Sequence, residues 1–283
     1  MAAREAGPQA PGLLGDSPAR DYADKLRRFH AFAAPELRDI TAALALERGM
    51  RVLDAGCGTG EMLGLLQEQV GPRGLVVGLD LARAHVAHAR AGAPPVCSVL
   101  QADAQRPPLA AASFDLVWSL NTVNHMRDPL ACVRTLARLL RPQGRLVLAQ
   151  SSLLTDMFFA WDARLERVTS EAVRRYYRDR YGASERDFAA LRAIVGTLRG
   201  AGLARVSVRS WLIERVTPLS AADEAYLLET QFRGTWGERL RPYLSAQDFG
   251  ELGRLCDPAD AAYALRRADF HFLQSLSVAT GHA

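Results

Sequence analysis

Between residues 51 and 150 short apolar runs alternate with longer amphipathic ones, and this rhythm restricts the fold more than any other feature. The apolar runs at 51–56, 75–80, 96–101, 114–119 and 145–150 have the length of strands. Segments 61–70, 81–91 and 129–140 read as helices between them, the first stopped at Gly71-Pro72 and the last at Pro142 and Gly144. Strands that take turns with helices over such a stretch predict a parallel sheet covered on both faces, an α/β doubly wound fold with right-handed crossovers.

The flanks follow other rhythms. Residues 1–20, rich in Ala, Gly and Pro, lack the basic start and unbroken apolar stretch of a secretory signal and read as a flexible tail. In 21–50, Leu26, Phe29, Phe32, Leu37, Ile40 and Leu44 recur at helical spacing, with Pro35 as a break between two helices. After the core at 51–151, helical periodicity over 156–200 makes 152–204 a helical lid segment. The last part, 205–283, holds two β-rich runs, 205–216 and 270–280, with a helical insertion at 221–256 between them.

Composition narrows the class. No run of about 18 apolar residues exists, so no membrane span is expected. Cys57, Cys97, Cys132 and Cys256 lie far apart, without zinc-knuckle spacing, and suit a reducing, cytoplasmic setting with no metal. His85 and His88 stand three apart and read as a solvated helix surface. The net charge of +4 rests on arginines spread along the chain, with Lys25 the lone lysine, so no nucleic-acid surface is implied. The oligomeric state is not legible.

Val52-Leu-Asp-Ala-Gly-Cys-Gly-Thr-Gly60 joins the first strand to the next helix. Glycine at alternate positions permits unusual backbone angles and close approach of a ligand at the carboxyl edge of the sheet, where doubly wound folds bind nucleotides. The helix start beyond it offers free N–H groups. A dinucleotide fingerprint would need glycine where Glu61 stands, and a carboxylate there repels a pyrophosphate. A nucleoside carrying a sulfonium and an ammonium meets no such penalty. Asp80 ends the second strand, 20 residues after Gly60, where a carboxylate can accept from both hydroxyls of a ribose. Asp103, after the third strand, can accept from an exocyclic amine such as adenine N6.

With these motifs, and with Gly-Leu-Asp at 78–80, Gln-Ala-Asp-Ala at 101–104, Phe-Asp-Leu-Val at 114–117 and Leu-Leu-Arg-Pro-Gln-Gly-Arg-Leu at 139–146, residues 51–151 resemble class I S-adenosylmethionine-dependent methyltransferases. The likeness is to the branch acting on quinones and other small molecules. It implies a Rossmann-like, seven-stranded, mostly parallel sheet with helical lid insertions, ending in an antiparallel pair, and S-adenosyl-L-methionine as cofactor. By the same resemblance, Gly56, Cys57 and Gly58, with Gly60, bind through backbone. Asp80 holds the ribose beside Leu81, and Asp103 with Ala104 recognises adenine. Asp54 orients the glycine loop and the cofactor's amino group, and Asn121 lies beside the methionine moiety.

In methyl transfer the leaving thioether needs no proton, so catalysis reduces to alignment and to deprotonating the acceptor. His125, in Asn121-Thr-Val-Asn-His-Met126, follows the fourth strand and is the candidate base, with Asn124 a candidate for positioning the acceptor. His30 and His271 are weaker candidates, reaching in from the lid or the last strand. Phe158, Phe159, Trp161, Tyr176, Tyr177, Tyr181, Phe232, Trp236 and Tyr243 concentrate in the lid segments and suit a chamber for an aromatic or lipophilic acceptor. The octet 174–181 mixes arginine with tyrosine and reads first as a solvated arginine face over buried rings. Three functions stay open: a methyltransferase with an O, N or C acceptor on a small molecule, one acting on tRNA or protein, and a catalytically silent S-adenosylmethionine-binding protein.

Overall fold

The computed structural model describes residues 17–151, 158–159, 162–184 and 190–283. Most of the tail expected at 1–20, and Trp161, lie outside the described residues. Strands β1 (Arg51–Ala55), β2 (Leu75–Asp80), β3 (Ser98–Gln101), β4 (Phe114–Leu120) and β5 (Leu140–Ser151) pair in parallel in the order β3-β2-β1-β4-β5. β8 (His271–His282) runs antiparallel to β5, and β7 (Ala204–Val216) antiparallel to β8. The sheet is thus seven-stranded with a mixed edge, and it carries one further fragment. That fragment, β6 (Phe158–Phe159), pairs with Phe272 and Leu273, residues whose other edge β7 already takes, so it continues the line of β5.

Alternation along the strands explains the two-layer cover. Val52, Leu116 and Trp118 pack into one apolar cluster, while Leu53, Ala55 and Val117, their chain neighbours, pack into the other. Helices α3 (Glu61–Val70) and α4 (Arg83–Gly92) close the first face through Leu63, Leu66, Val70, Val86 and Ala89. On the second, α5 (Pro129–Ala137) and α7 (Ala190–Gly200) bring Val133, Leu136, Ile194 and Leu198. The Asp128 carboxylate accepts from the Ala131 N–H at 2.9 Å, and Pro129 opens α5, a standard start.

Several expected boundaries move for local reasons. The third strand starts at Ser98 rather than 96, because the Cys97 N–H turns back to the Pro94 carbonyl and Val96 is exposed. The helix expected to start at 81 starts at Arg83, since Asp80 caps the Ala82 N–H first. The stretch 156–200 contains β6 as well as helices α6 (Ala163–Tyr181) and α7. The helical run 221–256 divides into α8 (Ala221–Ala225), a π-helical stretch (Tyr226–Trp236), a 3₁₀ turn (Glu238–Tyr243) and α9 (Ala246–Cys256), broken around Gly237 and Pro242.

A roof over the carboxyl edge of β1, β2 and β4 comes from three separate pieces of sequence. Helix α1 (Ala23–Phe32) packs on α8 and the π-helical stretch, and α6 packs on the 3₁₀ turn. Arg215, on β7, fastens the roof. Its guanidinium donates to Asp223 Oδ1 at 2.7 Å and to Glu36 Oε1 at 2.8 Å, on α8 and on α2 (Ala34–Ala43). It also lies 4.8 Å over the Phe32 ring. Among the described residues no helix is long and apolar enough to cross a membrane.

Candidate active site

The glycine turn holds itself together with its own donors. Gly56 and Cys57 N–H both donate to the Leu79 carbonyl, at 2.7 and 2.9 Å, and Gly58 N–H donates to Asp80 Oδ2 at 2.9 Å. Gly56 and Gly58 sit at φ 84° and 54°, the left-handed region that favours glycine. They also make room for protein rather than ligand: a Cβ on Gly56 would stand 2.1 Å from Thr122 Oγ1, and one on Gly58 2.8 Å from Leu26 Cδ1. The N–H groups of Gly56, Cys57 and Gly58 are therefore spent internally. The carbonyls of Gly56, Cys57 and Gly58 each accept one internal bond and keep a second lone pair, which suits a cation or a donor better than an anion.

Three carboxylates surround this turn. Asp54, on β1, is buried, and its Oδ2 has no hydrogen-bond partner. Burial, helped by the nearby charges of Asp80 and Glu61, pushes its carboxyl up to about 8. Asp80, at the end of β2, is held in a fixed attitude. Besides the Gly58 N–H on Oδ2, its Oδ1 accepts from the Ala82 N–H at 2.9 Å and meets His85 Nδ1 at 3.2 Å. Both acceptor sites of Oδ1 are thereby filled, and one remains on Oδ2 for a sugar hydroxyl.

His85 is not on a solvated surface, as its spacing with His88 suggested. It is 1% exposed, its Nε2 accepts from the Tyr22 N–H at 3.3 Å, and the Tyr22 ring stands edge-on at 4.4 Å. That acceptor role puts the proton on Nδ1, so the imidazole donates to Asp80. The only sequence signal was its distance from Asp80, five positions on. Asp103 uses Oδ1 to accept from the Gln105 N–H at 2.8 Å.

A cavity of about 930 Å³ opens above the turn and is walled by Asp54, Gly56, Cys57, Gly58, Asp80, Leu81, Asp103, Ala104, Asn121, Asn124 and His125. Gly60 is not on the wall; it caps α3 in the left-handed conformation. Asn121, at φ 49°, turns its side-chain carbonyl away to accept from the Ser151 N–H at 2.8 Å and the Ser151 hydroxyl at 3.0 Å. Asn124 Oδ1 is buried and has no hydrogen-bond partner.

The opposite wall comes from the roof. His30 lines it, 3.9 Å from Glu61 Oε2, and burial lowers its pKa, so the imidazole is neutral. His271 is elsewhere: it meets Glu214 Oε1 at 2.8 Å on the outer strand pair and does not line the cavity. Of the aromatics expected there, Tyr176, Tyr177 and Tyr181 line the cavity. Phe232 and Trp236 instead stack on each other in the core, 5.5 Å apart. Tyr22 and Tyr226, which no local pattern marked, and Phe29, which helical spacing placed only on an apolar face, complete the aromatic lining. In the octet 174–181, Arg175, Arg178 and Arg180 face outward, as expected of a solvated arginine face.

The cofactor implied by the sequence fits this wall on the structure's own terms. A buried carboxylate oxygen lacking a partner matches an ammonium, the turn offers carbonyls, and Asp80 is held with a site on Oδ2 open to a ribose hydroxyl.

Comparison with known proteins agrees. Residues 53–148 match the family model described as a methyltransferase domain. The chain is 34% identical over 162 residues to the 27-O-demethylrifamycin SV methyltransferase of Amycolatopsis mediterranei, covering 55% of this chain and 58% of that protein. It is 37% identical over 119 residues to the nocamycin O-methyltransferase of Saccharothrix syringae, covering 41% and 42%. The matches thus span about half the length of these relatives. A solved structure of a methyltransferase candidate from Bacillus halodurans superposes with a TM-score of 0.54 at 18% identity, over 88% of this chain and 98% of the other, which establishes the fold. Residues 53–148 are therefore a methyltransferase domain of the class I, S-adenosylmethionine-dependent kind.

Proposed function

We propose that the whole protein transfers the sulfonium methyl of S-adenosylmethionine to a hydroxyl oxygen of a small, lipophilic or aromatic acceptor, in the cytoplasm. The carrying observation is the single cavity that joins the carboxylate-lined turn to a tyrosine-lined chamber under the roof. The two relatives named for O-methylation of small molecules support an oxygen acceptor, and four free cysteines support a reducing compartment.

In this reading the bound cofactor supplies an electrophilic methyl on sulfur. Asp54 and the turn's carbonyls hold its ammonium, Asp80 its ribose, and Asp103 with Ala104 its adenine, while Leu81 forms an apolar wall. The roof excludes water from the acceptor and aligns its oxygen with the methyl. Asn124 donates a side-chain N–H to the acceptor oxygen and fixes its direction, which leaves the O–H free for His125. His125 takes the proton as the oxygen gains the methyl.

Incubation with labelled cofactor and a set of phenols and polyketide alcohols should yield S-adenosylhomocysteine and a methyl ether. His125→Ala should then lower kcat by about 10²–10⁴ with little change in cofactor affinity. A loss in His30→Ala instead would move the base to α1. Cofactor binding without turnover on any acceptor would sink the activity.

A further inference from the structure

The roof side of the cavity gathers positive charge, and the carboxylates beside it are paired with other arginines. Lys25, the single lysine of the chain, and Arg239, from the 3₁₀ turn, both line the cavity, as does Arg20. The three cations feel one another: burial lowers the Lys25 pKa, and Arg239 and Arg20 lower it further. Lys25 is exposed at the cavity wall, so an incoming group can reach its ammonium. Tyr176 and Tyr177 stand among these charges, with the Arg239 guanidinium 5.3 Å from the Tyr176 ring centre.

Acidic groups on the same wall are already taken. Glu229 is paired with Arg233 at 2.6 Å and Asp24 with Arg27, while Glu238, beside Arg239 in sequence, holds Arg241 at 2.8 Å. Among the described residues no carboxylate pairs with Lys25 or Arg239. Crowding cations on one wall costs free energy through mutual repulsion. An anionic group entering among them offsets that cost.

We infer that Lys25 and Arg239, aided by Arg20, form a subsite for an anionic group, a carboxylate or phosphate, carried by the methyl acceptor. This rests on the methyltransferase reading above and adds the acceptor's charge to it. The acceptor then has two ends, a hydroxyl directed to Asn124 and His125 and an acid directed to the roof. An aromatic body between them lies on Tyr176 and Tyr177. The cofactor's own carboxylate is the other source of such an anion. Arg239 comes from the 3₁₀ turn of the roof and stands against the Tyr176 ring, not on the strand ends that carry Asp54 and Asp80, and this favours the acceptor.

The full chain saturated with S-adenosylhomocysteine should be titrated by calorimetry with 2-naphthoate, 2-naphthyl phosphate and the neutral 2-naphthamide. The expected result is at least about ten-fold tighter binding of one of the anions than of the amide. Lys25→Met and Arg239→Met should each shrink that preference to about two- or three-fold, with Lys25→Arg keeping most of it, and S-adenosylhomocysteine affinity should stay unchanged in all three. Equal binding of the three probes, no binding of any, or a preference surviving in both methionine variants overturns the subsite. A roughly ten-fold loss of S-adenosylhomocysteine affinity in Lys25→Met also overturns it, by assigning the cation to the cofactor's carboxylate. A wild-type chain that fails to bind S-adenosylhomocysteine would instead bring down the methyltransferase reading itself.

Discussion

The two walls of the cavity are built in different ways. The lower wall takes its residues from the ends of consecutive strands, between Asp54 and His125, and the sheet register alone sets their spacing. The upper wall gathers Tyr22 and Lys25 near one end of the chain, Tyr176 and Tyr177 in its middle, and Tyr226 and Arg239 toward the other. Chemistry fixed by one motif belongs to the cofactor common to a fold, whereas chemistry assembled from distant segments belongs to the acceptor, which can change while the sheet stays the same.

This contrast breaks most visibly at Arg215, which is buried against Glu36 and Asp223, each side chain 12–14% exposed. Arg215→Ala leaves two carboxylates facing each other without their counter-charge and should cost about 3–5 kcal/mol in urea denaturation. If the roof is a layer laid over an independent sheet, amides in α2 and α8 should lose protection from hydrogen exchange while those of β1, β2 and β4 keep it. Uniform loss of protection would show one cooperative unit and erase the distinction.

What the sequence disclosed divides along the same line. The strand-helix alternation located β1 to β5 within a residue or two at most ends, and the placing of Asp54 to His125 along one cavity wall was legible because these residues lie at, or a few positions beyond, the carboxyl ends of strands. The direction of the turn's N–H groups was not legible, because the competing acceptor, the Leu79 carbonyl, lies on another strand. His85 misled because helical spacing says which residues share a face but not whether a distant segment, here Tyr22, covers that face. Phe232 and Trp236 looked like chamber walls and are core, because a π-helical stretch rotates side chains away from the positions an α-helix would give them.

Asp54 offers a second test, on the legible side. Its folded pKa of about 8 lies far above the ordinary carboxylate value near 3.9, so without cofactor the native state holds a proton that the unfolded chain has released. Stability should therefore fall as pH rises from about 4 to 8, and Asp54→Asn should flatten that slope. Cofactor binding has the opposite dependence. An ammonium favours the ionised form, so binding expels the proton and affinity rises by up to about ten-fold per pH unit below 8, levelling above it. Calorimetry with S-adenosylhomocysteine at pH 6, 7 and 8, in two buffers of different ionisation enthalpy, measures both the slope and the proton released. A slope equal to that of Asp54→Asn would exclude the carboxylate from the ammonium site.

The smallest expected effect is the one that joins the two walls. His85 spans them, receiving a hydrogen bond from the Tyr22 backbone above and giving one to Asp80 below. If its work is to hold Asp80 in the attitude that sugar hydroxyls require, His85→Ala should weaken S-adenosylhomocysteine about five-fold, near the 1 kcal/mol of one net hydrogen bond. Gln at this position, which can both donate and accept, should recover part of that loss. The double variant with Asp80→Ala decides between routes: a residue acting through Asp80 adds nothing once Asp80 is gone, whereas additive losses would show that His85 works by tethering the Tyr22 segment over the cavity. In the first case the roof merely covers a site complete in the sheet; in the second, the cofactor wall owes part of its affinity to the roof, and the two walls evolve together.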